Sequence, residues 1–346
     1  MKELYPILMN PQFERIALID DYSSFIWSTR YYTSGDFQLI VNVNPSNTGL
    51  FQKDWYIVRD DDENVGLIED ITITRNENGV EQYIIKGRFI DAIIGRRIIA
   101  RQTTVSGNVG ACIKQLLMDN IVDPAMADRQ ISNFMIGDID VSGTMKAQFT
   151  GKNLLDTISS ICQTYGIGYK VTLDSDHNFV FSLYTGVNRT YDQSVNPWVI
   201  FSDTYDNLLS SQYEENYKSL TNAVLVAGEG EGLDRKTVWV SDGSTGINRH
   251  EAYSDARNIR SDGDISESDY LQLLAESGKE DLTTYTSAFT GKVYFDSVSY
   301  KDDIGMGDLC VIENTEWGIY MNTRLVEVVE SVDESGQYSI TPTFGV

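Results

Sequence analysis

The sequence predicts a mainly β protein with α/β insertions. Apolar runs of strand length, punctuated by polar turns, fill both ends of the chain, and only the middle third shifts to a helical period. The 20 tyrosines, with 41% hydrophobic and 11% aromatic residues, suit sheets and interfaces better than disorder. At 346 residues the chain exceeds what one compact core usually holds, so two or more domains are expected.

Residues 13–90 read as strands and turns. Phe37–Val43 and Trp55–Val58 are apolar runs, and Ile71–Thr74 and Tyr83–Ile85 flank Asn76-Glu77-Asn78-Gly79, whose Asn-Gly is a hairpin signal. From about 106 the spacing changes. Val109, Ile113, Leu116, Leu117 and Ile121 share one helical face, and Asp123-Pro124 ends it. A second helix starts at Asn153 with Leu154, Leu155, Ile158, Ile161, Cys162 and Tyr165 as its stripe, and Gly166 stops it. Strands resume in 168–173 and 179–184 around the turn Asp174–Asn178. Further strands are expected near Trp198–Phe201, Ala223–Ala227 and Thr237–Val240, and 241–265 reads as loop. Ser266 with Asp269 opens a third helix, whose stripe of Leu271, Leu274, Leu282 and Tyr285 continues past Gly278. The tail, 291–346, returns to strands.

The tail also resembles the beginning. Ile57-Val58, an acidic turn, Gly66-Leu67-Ile68 and Ile71-Thr72-Ile73 match Val311-Ile312, another acidic turn, Gly318-Ile319-Tyr320 and Val326-Glu327-Val328. Gln82-Tyr83 and Gln337-Tyr338 follow in turn, and Gly35-Asp36 and Gly307-Asp308 each precede an apolar run. This recurrence indicates two related β-barrels. The expected division is a first barrel over 1–100, an α/β insertion over 101–200, a second barrel over 201–245 plus 290–346, and a small helical insertion over 246–289.

Charge narrows the function. Lys plus Arg number 27 against 51 Asp plus Glu, a net charge of −24, which opposes a grip on nucleic acid or on anionic membranes. Cys112, Cys162 and Cys310 are far apart and read as reduced, buried thiols. Met1–Pro6 holds no apolar signal core and no run approaches a membrane span, so the chain is expected to fold in a cytoplasm with no stable membrane anchor.

Searches for chemistry return little. His177 and His250 are the sole histidines and both fall in polar turns or loops, leaving no zinc or Ser-His-Asp pattern. Gly228-Glu229-Gly230-Glu231-Gly232 has the glycines of a phosphate loop, but its carboxylates would repel phosphate, so it reads as a turn. Asp174–Asn178 opens like a calcium loop and then fails at Phe179 and Thr185; Asp262–Ser266 fails at Glu267 and Leu273. No catalytic residue, metal or cofactor is indicated. A carboxylate pair of the glycosidase kind remains open among so many acids, with nothing to single one out.

Phe25–Tyr32 with Ser34–Phe37, Arg59–Glu63, Gly151–Leu155 with Thr164–Tyr169, Phe201-Ser202 with Tyr205–Leu208, Ala227–Gly232 with Asp234–Val238, and Pro342–Gly345 together resemble a family of small siphophage and prophage tail proteins from Gram-positive hosts. The resemblance implies a tail-associated baseplate hub, related in fold to contractile-tail hubs and type VI secretion spikes, with two β-barrel domains of the phage tail hub type. It implies a homotrimer whose six barrels adapt three-fold to six-fold symmetry and surround the DNA exit channel at the tail tip, DNA being a partner only in transit. Implied partners are a distal tail protein or tail tube ring, the tape measure protein, and tip fibres or receptor-binding proteins. No C-terminal fibre or lytic extension follows the last expected strand, so the hub role is carried over and an enzymatic one is not. The acids expected to face the channel are Asp60, Asp61, Asp62 and Glu63, with Glu313 and Glu316 in the matching turn. The competing reading is a carbohydrate-binding or carbohydrate-active tip protein using an Asp/Glu pair or the aromatics Trp27, Tyr31 and Tyr32.

Overall fold

The computed structural model describes residues 4–75, 77, 79–261, 265–283, 286–293 and 298–345. Expectations placed on Asn76, Asn78, Asp262–Asp264 and Tyr285 lie outside these residues. The fold is mainly β, and its backbone is a ten-stranded sheet. Eight of its strands, numbered in chain order, are β1 (Ser24–Arg30), β2 (Asp36–Asn42), β3 (Asp70–Arg75), β4 (Glu81–Arg88), β5 (Leu208–Asn216), β6 (Thr286–Val293), β7 (Ile319–Val332) and β8 (Tyr338–Gly345). Their spatial order is β5-β6-β8-β7-β1-β2-β4-β3, and every neighbouring pair is antiparallel.

That order is one four-strand unit used twice. The first half contributes β1-β2-β4-β3 and the second β5-β6-β8-β7, and the β7–β1 ladder welds them. Each unit is also fed by a hairpin. Tyr56–Val58 pairs with Val65–Leu67 ahead of β3, and Leu309–Asn314 pairs with the start of β7. The recurrence read from the sequence is therefore present as topology, but not residue for residue. Gly66 lies within a strand opposite Ile57, whereas Gly318 sits in the turn with φ +65°. Likewise Gly35-Asp36 leads into β2, while Gly307-Asp308 leads into the hairpin, a different place in the unit.

Alternation explains the layers. In β2 Phe37, Leu39 and Val41 point inward and meet Phe25, Trp27, Tyr83 and Ile85 in the first core. Phe201, Ile312, Leu325, Val328 and Phe344 form the second. The middle segment supplies α1 (Val109–Leu117), continued by a π turn over Met118–Val122, and α2 (Leu154–Tyr165). The α2 boundaries follow from capping. Asn153 accepts from the amide of Leu155, and Gly166 closes the helix at φ +66°. These helices share a core with Tyr56, Val58, Val65 and Leu67, so this insertion is packed on the first half.

The second insertion begins earlier than its sequence suggests. Ala223–Ala227, expected with Thr237–Val240 in the second barrel, lies between Thr237–Ser241 and Glu251–Asp255 and pairs with both. That three-stranded sheet lies under α3 (Glu267–Glu280), with Val224, Val226, Tyr270, Leu273 and Leu274 as its core. The 241–265 loop thus contains a strand. It was hidden because Ala252 and Ser254 are the inward residues of Glu251–Asp255, which leaves no apolar alternation to read. Gly278 persists in α3 because a Cβ there would stand 2.4 Å from Val226.

Tyr31, at the end of β1 and fully buried, ties three parts together. Its hydroxyl donates to the Gly166 carbonyl at 3.0 Å and accepts from the Gly186 amide at 3.3 Å. Its ring leaves no space for a Cβ at Gly168 or Gly307, which would lie 2.3 and 2.1 Å away. Gly307 also has φ +88°, while Gly49 has φ +75° and open space around it. In urea unfolding, Gly49→Ala is expected to cost about 1 kcal/mol from backbone strain alone. Gly307→Ala is expected to cost at least about 2 kcal/mol more, because overpacking against Tyr31 adds to the strain; equal costs would contradict the packing account.

Candidate functional site: the acidic turn at the seam

Where β7 of the second half pairs with β1 of the first, the hairpin turn Arg59–Asn64 folds over the joint. Asp62 shapes the turn by accepting the Asn64 amide at 2.8 Å. Arg59 points inward with its side chain fully buried, as is Glu330 of β7. Arg59 donates to Glu330 at 3.1 and 3.3 Å and to Asp61 at 2.7 and 2.9 Å. The Tyr338 hydroxyl donates to Glu330 at 3.0 Å, and the guanidinium sits 5.6 Å from the Trp27 ring. Trp27 Nε1 is buried with no hydrogen-bond partner.

Each acid of the turn meets a cation, and Arg59 is shared between Asp61 and Glu330. Asp60 binds Arg15 at 2.6 Å, and Asp61 binds Arg59. Asp62, almost wholly buried, binds Lys301 at 2.7 Å. Glu63 binds Lys170 at 2.7 Å. Lys301 comes from the second half, with a left-handed backbone at φ +77°; it also donates to the Asp61 carbonyl at 2.9 Å. Lys170 comes from the insertion. Five carboxylates, Glu330 included, and four cations thus join three parts of the chain at one turn. Arg30 repeats the device nearby, holding Asp36 at 2.6 Å and Glu327 at 2.7 Å.

A cleft of about 370 Å³ opens beside the turn, bordered by Arg30, Asp62, Lys170, Tyr184, Tyr300 and Asp91. Burial pushes the Tyr184 and Tyr300 hydroxyls well above the usual phenol range. Asp91 is buried and receives the Ser34 hydroxyl at 2.6 Å. Burial raises its carboxyl to about 6, against the opposing pull of Ser34 and Arg88.

The other two sequence-selected acids are placed differently. Glu313 lies in the second half's hairpin opposite Tyr320, and Glu316 is exposed in its turn. Among the described residues no lysine or arginine pairs with either, and no ion pair joins them to Asp60–Glu63. Sequence reasoning found the acids and missed their cations, which lie far along the chain, Lys301 at a separation of 239 from Asp62. Trp27 and Tyr31 are fully buried core residues, which removes them from any sugar-stacking face. Glu229 of the Gly-Glu repeat accepts the amide and hydroxyl of Ser261, both at 3.0 Å, and so pins a loop. His177 stacks on Phe13 with centroids 4.9 Å apart. Asp174 spends its carboxylate on the amides of Asp176 and Asn178, as an Asx turn does. Among the described residues no cluster of metal-binding side chains occurs, and no helix is long and apolar enough to cross a membrane.

A family model described as Siphovirus ReqiPepy6 Gp37-like protein matches residues 5–346. Among solved structures the chain is similar to a tail protein from Neisseria meningitidis MC58, with 13% identity over 100% of this chain and 97% of that one, at a TM-score of 0.60. It is similar to the 43 kDa tail protein of prophage MuSo2 from Shewanella oneidensis, with 12% identity over 98% of each chain and a TM-score of 0.57. Prophage tail protein gp18 from Listeria monocytogenes EGD-e gives 12% identity over 99% of this chain and 94% of that one, at 0.55. No curated protein matches.

Two measurements test the site. Arg59→Leu leaves Glu330 buried without its cation and is expected to cost about 3–5 kcal/mol in urea unfolding, whereas Arg59→Leu with Glu330→Leu should recover most of the loss. Asp91 holds its proton more tightly folded (about 6) than unfolded (3.8). Its burial therefore costs nothing below the unfolded value, costs progressively more as pH rises between the two, and costs in full above about 6. The full penalty is on the order of 3 kcal/mol. Asp91→Asn should thus stabilise the protein above pH 6 and lose that advantage towards pH 4; a gain independent of pH would contradict the assignment.

Proposed function

Because the chain belongs to the Siphovirus ReqiPepy6 Gp37-like protein family and has the fold of phage tail proteins, we propose that it is the structural hub subunit of a tail tip. In this reading three copies form a ring that terminates the tail tube. The observation that carries it is the tandem strand order, β1-β2-β4-β3 followed in space by its own repeat. One chain offers the same unit twice, so three chains offer six, which is what a three-fold hub needs to meet a six-fold tube. The six-fold partner is a distal tail protein or tube ring, with the tape measure protein and the fibres or receptor-binding proteins of the tip as further neighbours. The protein folds in the host cytoplasm and acts in the virion, with no catalytic step assigned.

Closure follows from the same order. Among the described residues β3 and β5 end the eight-strand run of the sheet, each with one strand neighbour. Unpaired edges are avoided in stable proteins. The β7–β1 ladder, applied between chains, joins β3 of one copy to β5 of the next and completes the barrels in the assembly. The ring encloses the DNA path. Its repulsion of phosphate comes from the net charge of −24 per chain, acting within a Debye length of about 8 Å. The turn Asp60–Glu63 adds little to that wall, since four cations offset all but one of the five charges it forms with Glu330.

Native mass is the direct test: three times the 38.9 kDa chain is expected, and a stable monomer would defeat the reading. The register is also fixed. Carrying the β7–β1 pairing over to the edges, with Tyr83 equivalent to Tyr338, sets Thr72 opposite Ser210 of the adjacent copy. Thr72→Cys combined with Ser210→Cys should give disulfide-linked trimers under oxidation. Arg75→Cys with Ser210→Cys, three residues out of register, should not.

A further inference from the structure

The two hairpins of the repeat differ in one respect. In the first half the hairpin turn is covered, its four acids held by Arg15, Arg59, Lys170 and Lys301. Two of its contacts come from the second half: Glu330 of β7, and Lys301 of the connection that leads from β6 to the second hairpin. The second half's hairpin has Asp203 against Thr315 and Tyr191 stacked on Tyr320, but no cation covers its tip among the described residues. Trp317 and Tyr320 are 50% and 58% exposed, and Glu313 and Glu316 have no cation among the described residues. An apolar and acidic tip at the place where the repeat elsewhere makes a contact is an unfilled contact.

We infer that the tip Asn314–Tyr320 docks against a second copy of this chain, in the connection over residues 43–55 that leads from β2 to the first hairpin, with Lys53 meeting Glu316. This rests on the trimeric ring proposed above and identifies a contact within it. The geometry is transferred, not invented. Around the sheet each half is followed by the next, and within the chain the β6-to-hairpin connection of one half reaches the hairpin of its follower. Between chains the follower of the first half is the second half of the adjacent copy. The connection then facing its hairpin is 43–55, which occupies the same place in its unit as the Lys301 connection does. Both carry a Lys-Asp pair, Lys53-Asp54 and Lys301-Asp302, and both contain a left-handed backbone, Asp54 at φ +63° and Lys301 at φ +77°. Lys53 is available. Its side chain is 77% exposed, and its acidic contact is Asp54 at 3.7 Å, itself held by Arg96. Lys53 thus holds one long, exposed contact where the transferred contact needs a cation.

The test is a charge swap read by native mass and sedimentation, with circular dichroism as the control for folding. Lys53→Glu and Glu316→Lys should each raise the concentration at which trimers dissociate by at least about fivefold, the scale of one rim ion pair. The double variant with both changes should restore it. Acrylamide quenching, compared with Trp317→Phe, should show Trp317 becoming less accessible on assembly. A trimer indifferent to both reversals, with Trp317 as accessible as in the monomer, overturns this contact and leaves the hub reading standing, the tip then belonging to another occupant. A parent protein that stays monomeric overturns both.

Discussion

The antiparallel ladder between β7 and β1 is the constraint on which the rest of the molecule depends. It joins segments some 300 positions apart, as the Arg30–Glu327 pair with a separation of 297 shows. A ladder of this kind is specified by what lies along it. Slipping β7 by one residue would turn Val328, Glu330 and Val332 to the opposite face, expelling Glu330 from Arg59 and opening both cores at once. Burying an ion pair gives little net stability, but leaving half of one buried is very costly. Arg59 and Glu330 therefore act as a register lock: the correct pairing satisfies both, and its neighbours satisfy neither.

From that seam the other contacts follow. Once β7 lies beside β1, the 298–305 connection reaches Asp62, and the insertion, already packed on the first hairpin, presents Lys170 to Glu63. Tyr31 emerges from the end of β1 into a slot bounded by Gly168 and Gly307, one from the insertion and one from the second half. The acidic turn is thus the keystone of a three-part joint, and its local charge is close to neutral inside a strongly acidic protein. Carboxylates held by cations contribute to internal fit; those left over set the long-range field.

Local features of this architecture were legible in the sequence and long-range ones were not. The boundaries of α2 could be read from Asn153, its apolar stripe and Gly166, because capping and periodicity act within a few residues. The strands Gly168–Leu173 and Phe179–Tyr184 were legible for the same reason. The duplicated hairpins were visible as recurring apolar runs, though the glycines that aligned them occupy a strand in one half and a turn in the other. Glu251–Asp255 was invisible, since a strand whose inward residues are Ala252 and Ser254 carries no apolar alternation. The partners of Asp60–Glu63 were invisible too. An acidic run looks the same whether it faces solvent or four cations, and those cations come from positions 15 to 301.

The unlike chemistry of the two hairpins is what a repeat shared between one chain and an assembly should show. Inside the chain, β7 and β1 are tethered, so the partner's effective concentration is high and its arrival is certain. A fully buried, fully satisfied ion pair can be used there, because neither Arg59 nor Glu330 is ever required to exist folded without the other. A contact between copies has the opposite requirement, for each subunit must stay soluble before its neighbour arrives. A charge buried for that contact alone would destabilise the unassembled chain. Half-exposed aromatics ringed by solvated carboxylates tolerate water and still supply apolar area when covered, as association surfaces commonly do. Trp317 and Tyr320 beside Glu313 and Glu316 have that composition, and Trp27 with Arg59 and Glu330 has the other. In the proposed ring the same scaffold position is finished as a core where the neighbour is covalently linked, and as a surface where the neighbour must be found.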